Sequence, residues 1–130
     1  MSSTQLRPKD DGRPLVAVWC SVPLLGEAVD FALEFAEVRS FASSGGDLAG
    51  LLRWLRPDAV IVDSEEGAAD ATPFAREHGV PLLHVSVRDR WLRVYRAGEW
   101  EEIGDGEGAT PEAIRNVVAG ALFARGGPVG

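Results

Sequence analysis

The residues best placed to do chemistry follow an apolar run in RPDAVIVDSEEG, residues 56–67. Ala59 to Val62 is apolar, and Asp63, Ser64, Glu65 and Glu66 come directly after it. A carboxylate at the end of a buried strand can accept a phosphoryl group when a divalent cation and a basic side chain neutralise the developing charge. A strand that simply leaves the core and meets water ends in the same way. A second set, Cys20, His84 and Asp63, has the types of a thiol nucleophile, an imidazole base and an orienting carboxylate, provided that their strand ends converge. Against it, His84 lies inside the apolar run PLLHVSV, the setting of a hydrogen-bonded core histidine. A lone cysteine is most often a small buried apolar side chain. His78, in EHGVP, suits a helix carboxyl end, where the dipole favours positive charge. Neither His nor Cys occurs at paired spacing, so no metal site and no cofactor are predicted.

Phosphate cradles are poorly represented. The connection CSVPLLG lacks the glycines that bring backbone close to a pyrophosphate, and no G-x-x-x-x-G-K-[ST] occurs. SSGGD precedes a helical pattern and reads first as an ordinary loop, second as an anion-binding turn. The remaining candidate is a strand-end pocket of Cys20, Ser21, Asp63, Ser64, Glu65 and Ser86, whose acidic rim suits a cation or sugar hydroxyls better than a nucleotide.

The elements that must position these groups alternate along the chain. LVAVWC (15–20), AVIVD (59–63) and PLLHVSV (81–87) are apolar runs of strand length, and EVRSFA (37–42) is a weaker one. Between them, LLGEAVDFALEFA carries Leu25, Ala28, Val29, Ala32, Leu33 and Ala36 on one helical face, with Pro23 at its first turn. Asp47 is placed to cap a helix with the stripe Leu48, Leu51, Leu52 and Leu55, stopped by Pro57. AADATPFAREHG (68–79) predicts a short helix closed by Gly79.

RWLRVYRAGEWEEI then alternates on both sides of Ala97-Gly98, the pattern of a hairpin. One side of that hairpin would collect Trp91, Arg93, Tyr95, Trp100 and Glu102. After the loop GDGEG, Thr110 and Pro111 open a last helix with the stripe Ile114, Val117, Val118, Ala121 and Leu122. The alternation predicts an α/β three-layer sandwich with a mainly parallel, doubly wound sheet, plus a β-hairpin before the last helix. Residues 14–126 form its single domain, 1–13 a disordered lead-in and 127–130 a frayed tail.

Composition narrows the classes of partner. A net charge of −7 opposes binding to nucleic acid and to anionic membrane surfaces. No stretch reaches the length of a spanning helix. One cysteine and no secretory pattern at the amino end fit a cytoplasmic protein.

The stretch from Gly46 to Val87 resembles the receiver domain of bacterial response regulators, a flavodoxin-like fold. The helix DLAGLLRWLRPDA, the strand VIVD ending in Asp63, HGVPLLHVSV and a last helix opening TPEAI carry the resemblance, over about half of the chain. It implies that Asp63 stands where the family's phosphoacceptor stands and that Ser86 stands near its hydroxyl residue. It also implies an acidic pair after the first strand and a lysine before the last helix. Here the first strand ends Trp19-Cys20-Ser21 with no carboxylate before Glu27, and Lys9 is the sole lysine.

The resemblance with those groups missing implies a non-catalytic, receiver-like signalling module, not phosphorylated through the usual aspartate chemistry. It would act through protein–protein contact with a partner or a second copy. Trp91, Arg93, Tyr95 and Trp100 have the composition of an interface core. The second class of function is a small-molecule-binding or transferase-like α/β domain using the strand-end pocket.

Overall fold

A computed structural model describes residues 14–21, 23–42, 47–86, 89, 91–96, 98–103 and 110–126. The lead-in, the tail, the SSGG and GDGEG loops and Ala97 lie outside the described residues. The elements run β1 (Leu15–Cys20), α1 (Pro23–Ala32), β2 (Glu37–Ala42), α2 (Leu48–Leu55), β3 (Ala59–Val62), α3 (Glu65–His78), β4 (Leu82–Ser86), β5 (Trp91–Arg96), β6 (Glu99–Ile103) and α4 (Pro111–Gly126).

The strands form one six-stranded sheet in the order β2-β1-β3-β4-β5-β6. β1 lies parallel to both β2 and β3, and β3 lies parallel to β4. β5 is antiparallel to β4, and β6 is antiparallel to β5. The sheet is therefore mixed, where the strand–helix alternation predicts a mainly parallel one. The cause is the short connection across residues 87–90, since a parallel return needs a crossover of a dozen or more residues.

Helices cover both faces. Val16, Val18 and Cys20 of β1 pack with Ile61, Leu83 and Val94 under Val29 and Leu33 on the α1 side and Ile114, Val118 and Leu122 of α4. On the other face, Ala17, Trp19, Val60, Val62 and Leu82 pack under Leu48 and Leu52 of α2 and Ala68, Ala71 and Phe74 of α3. Every residue of β1 and β3 is buried. Strands covered on both sides must be apolar at every position rather than at every second one, which explains LVAVWC and AVIV.

Short-range signals set most helix boundaries. The Asp47 carboxylate accepts from the Gly50 amide, and Thr110 Oγ1 accepts from the Ala113 amide at 3.1 Å. Gly79 takes the left-handed conformation (φ 67°) that closes α3. Two boundaries differ from the sequence expectation. α3 opens at Glu65 rather than Ala68, because Ser64 caps it by accepting from the Gly67 amide at 3.0 Å. That places Glu65 and Glu66 in the first turn, where the helix dipole favours negative charge. Gly67 is closely packed there, because a Cβ would stand 3.0 Å from the Ser64 hydroxyl and 3.2 Å from both Trp19 and Val62. α1 stops at Ala32, short of the expected Ala36, although Leu33 and Ala36 stay buried beneath it.

The two edges of the sheet are unlike. β6 carries Glu99, Glu101 and Glu102, all exposed. β2, at the other rim, carries Glu37 and Arg39, which form an ion pair at 2.8 Å.

Candidate functional site

The carboxyl ends of β1 and β3 meet where the chain first leaves for β2 and later returns for β3, the position at which doubly wound sheets take ligands. Asp63 and Ser21 occupy it. The Ser21 amide donates to both Asp63 oxygens at 3.0 Å, and the Ser21 hydroxyl lies 3.2 Å from each. The side chain at the centre of the strand-end cluster is thus bound to its neighbour's backbone. At the opposite end of β3, Asp58 does the same for the start of β1. Its Oδ2 accepts from the Leu15 amide at 2.8 Å, and its own amide donates to the Leu15 carbonyl at 2.7 Å. RPDAVIVDSEEG therefore brackets β3 with two aspartates, each pinned to β1.

The other pocket residues separate. Cys20 is buried on the α1/α4 face, its thiol 4.0 Å from the Phe41 carbonyl. Burial pushes that thiol above its ordinary value, and the Asp63 charge adds to the rise, so it is held as an unreactive neutral group. Ser64 caps α3, and Glu65 projects into solvent. Ser86 accepts from the Asp89 amide at 3.1 Å in the turn that leaves β4. His84 belongs to the opposite sheet face from Cys20, so Cys20, His84 and Asp63 do not assemble into a nucleophile–base set. Among the described residues no group of His, Cys, Asp and Glu side chains converges to hold a metal ion.

What the structure does assemble is a cation–aromatic cluster around His84. β4 and β5 pair with His84 opposite Arg93 and Ser86 opposite Trp91, and β5 pairs with β6 so that Tyr95 faces Trp100. Alternation then places Trp91, Arg93, Tyr95 and Trp100 on the face that holds α3. His84 is only 2% exposed. Arg93 donates to its Nδ1 from Nη2 at 3.0 Å and from Nε at 3.3 Å. A guanidinium has no acceptor, so Nδ1 is the acceptor and the ring is the neutral Nε2–H tautomer.

Trp91 meets the imidazole edge-on at 4.8 Å, and Trp100 stands 6.4 Å away. The Arg93 guanidinium sits over the Trp100 ring at 4.4 Å and near the Trp91 ring at 5.5 Å. Tyr95 is buried against Trp100 at 5.2 Å. Trp91, Arg93 and Trp100 are half-buried and form the accessible side of the cluster. Arg93 also forms an ion pair with the exposed Glu65, at 3.7 Å.

Burial first, and the Arg93 charge second, hold His84 below its ordinary 6.5; Glu65 and Asp63 offset part of this. The folded chain thus resists a proton that the unfolded chain accepts. Stability is flat above 6.5 and falls as the pH drops through it toward the folded value, by at most about 1.4 kcal/mol per pH unit from this single group. Urea unfolding at pH 7.5 and 5.5 reads the loss, and the His84 ring carbon shift, followed by NMR, is expected to titrate at a lower pH than that of a free imidazole.

Sequence reasoning placed His84 in the core and Arg93 on an aromatic face but did not join them. The signal was the short 87–90 connection, which fixes an antiparallel register and sets His84 opposite Arg93. Asp58 was missed as well; an aspartate directly before a buried strand, after a helix-stopping proline, is where such a pin belongs. Among the described residues no helix is long and apolar enough to cross a membrane. Compared with protein-family models, with curated proteins and with solved structures, the chain finds no match.

Proposed function

We propose that this chain is a non-catalytic, receiver-like regulatory module that works by docking a protein partner on the Trp91–Arg93–Trp100 surface. The observation that carries the reading is the stacking of Arg93 on two tryptophans while its other side bonds His84. Aromatic and arginine side chains fixed before binding lose little freedom on docking and dominate interface energetics. The order β2-β1-β3-β4 of the parallel strands, the flavodoxin-like order as far as it runs, supports the receiver-like part of the reading.

The Asp63 carboxylate is engaged by Ser21, and the sole lysine, Lys9, precedes the first strand. Both points favour a module that does not receive a phosphoryl group on Asp63. They also weigh against the second reading, a small-molecule pocket at the same crevice, because a ligand would have to displace Ser21.

The test is capture of cytoplasmic partners by the tagged chain, compared with Trp91→Ser/Trp100→Ser. At about 2 kcal/mol or more for a central anchor, affinity drops at least thirtyfold and the captured band disappears. Circular dichroism and a cooperative melt establish that the substituted chain is folded. If the doubly substituted chain melts without cooperativity, the single Trp91→Ser decides. Equal capture by wild type and a folded variant removes the proposal.

A further inference from the structure

We infer that the outer side of β2 pairs with β2 of a second copy of this chain, antiparallel about a two-fold axis through Ser40, joining the two sheets. The surface is separate from the Trp91–Trp100 face, and the inference does not depend on the proposed function.

The backbone sets the register. The Glu37 amide donates to the Pro14 carbonyl at 2.8 Å, so Glu37 directs its backbone groups toward β1. Backbone direction alternates along a strand, so Arg39 and Phe41 also turn toward β1, while Val38, Ser40 and Ala42 turn outward. Among the described residues β2 is the edge of the sheet, and no other strand lies along its outer side. With the axis at Ser40, Ser40 faces its own copy and Val38 faces Ala42 of the second chain. All three outward residues then exchange hydrogen bonds.

Side chains agree with this register. Arg39 comes opposite Phe41 of the second copy at a non-hydrogen-bonded position, where side chains approach most closely and a guanidinium can lie on a ring. Moving the axis to Arg39 sets like charges face to face, which disfavours that register. β2 has neither lysine nor proline, and its two charged side chains, Glu37 and Arg39, neutralise each other, whereas β6 carries three glutamates.

Trp54, 76% exposed, supplies the second observation. α2 turns Leu48 and Leu52 into the core. At about 100° per residue, Leu51 and Trp54 share one flank of that helix. In a right-handed β2–α2–β3 crossover this flank faces β2, where half-buried Phe41 and Leu51 pack against the same core cluster. A two-fold axis normal to the sheet keeps both α2 helices on one face, with their Leu51–Trp54 flanks turned toward each other across the joint.

Size-exclusion chromatography with light scattering tests the pairing. Wild type is expected at twice 13.9 kDa, and Ser40→Pro and Ala42→Lys at 13.9 kDa. Proline at 40 removes an outward amide and leaves the ladder to β1 in place, and Ala42 is exposed. Both substitutions are expected to weaken dimerisation at least a hundredfold. Hydrogen exchange is expected to show the Val38, Ser40 and Ala42 amides of wild type protected as concentration rises. Trp91→Ser/Trp100→Ser keeps the doubled mass, which separates this surface from the docking face. A wild-type mass of one chain up to the solubility limit overturns the inference, as does a doubled mass retained by folded Ser40→Pro. If Ser40→Pro fails to fold, Ala42→Lys decides alone: loss of the doubled mass supports the pairing, and its retention overturns it.

Discussion

Asp58→Ala lowers the free energy of unfolding by about 2 kcal/mol, and Asp63→Ala by about half as much. The two aspartates make the same kind of contact at opposite ends of β3, and what differs is the burial of the group left behind. Leu15 is 0% exposed, so its amide loses a partner where water cannot replace it. Ser21 is exposed, and water takes over its amide and hydroxyl when Asp63 is removed. Urea unfolding at pH 7 measures both. Asp58→Asn, which keeps a side-chain oxygen acceptor, recovers most of the loss. If Asp63→Ala proves the costlier substitution, or if it stabilises the chain, Asp63 is more than a pin and the case for chemistry at that position reopens.

Arg93→Met costs about 2–3 kcal/mol, the larger part from His84 rather than from the arginine. The substitution leaves a buried imidazole nitrogen without its donor and removes the charge stacked on Trp100. Removing both polar partners tells the contributions apart. In Arg93→Met/His84→Phe no buried polar atom is left unpaired, and the doubly substituted chain is expected to be more stable than Arg93→Met alone. Four unfolding curves complete the cycle. Strict additivity means that the 3.0 Å contact carries no coupling and that Arg93 acts through packing alone.

Local signals in the sequence were enough for the parts of the fold that local physics decides. Asp47, Gly79, Thr110 and Pro111 are helix boundary residues whose geometry depends on their immediate neighbours, and each sits where its chemistry requires. Apolar runs without alternation marked β1 and β3 as strands covered on both faces. What long-range pairing decides was less legible. The direction of β5 depends on the length of one connection, and the meeting of His84 with Arg93 depends on that direction. The start of α3 was read late because Ser64, Glu65 and Glu66 looked like a functional edge, although a cap and acidic first-turn residues have the same composition. Asp63 invited a chemical reading for a similar reason. A strand-end carboxylate is ambiguous until the donor opposite it is known, and Ser21 is separated from it along the chain by two helices and two strands.

The glutamate-rich rim formed by β6 bears on how large an assembly this fold can make. A sheet that accepted strands on both borders would add copies head to tail without limit and grow into a ribbon. In the proposed β2 pairing, with one receptive border and one that repels its own kind, growth would have a single available step, and that step would consume the receptive border on both participants. On that proposal the acidic rim would act as a stop on polymerisation.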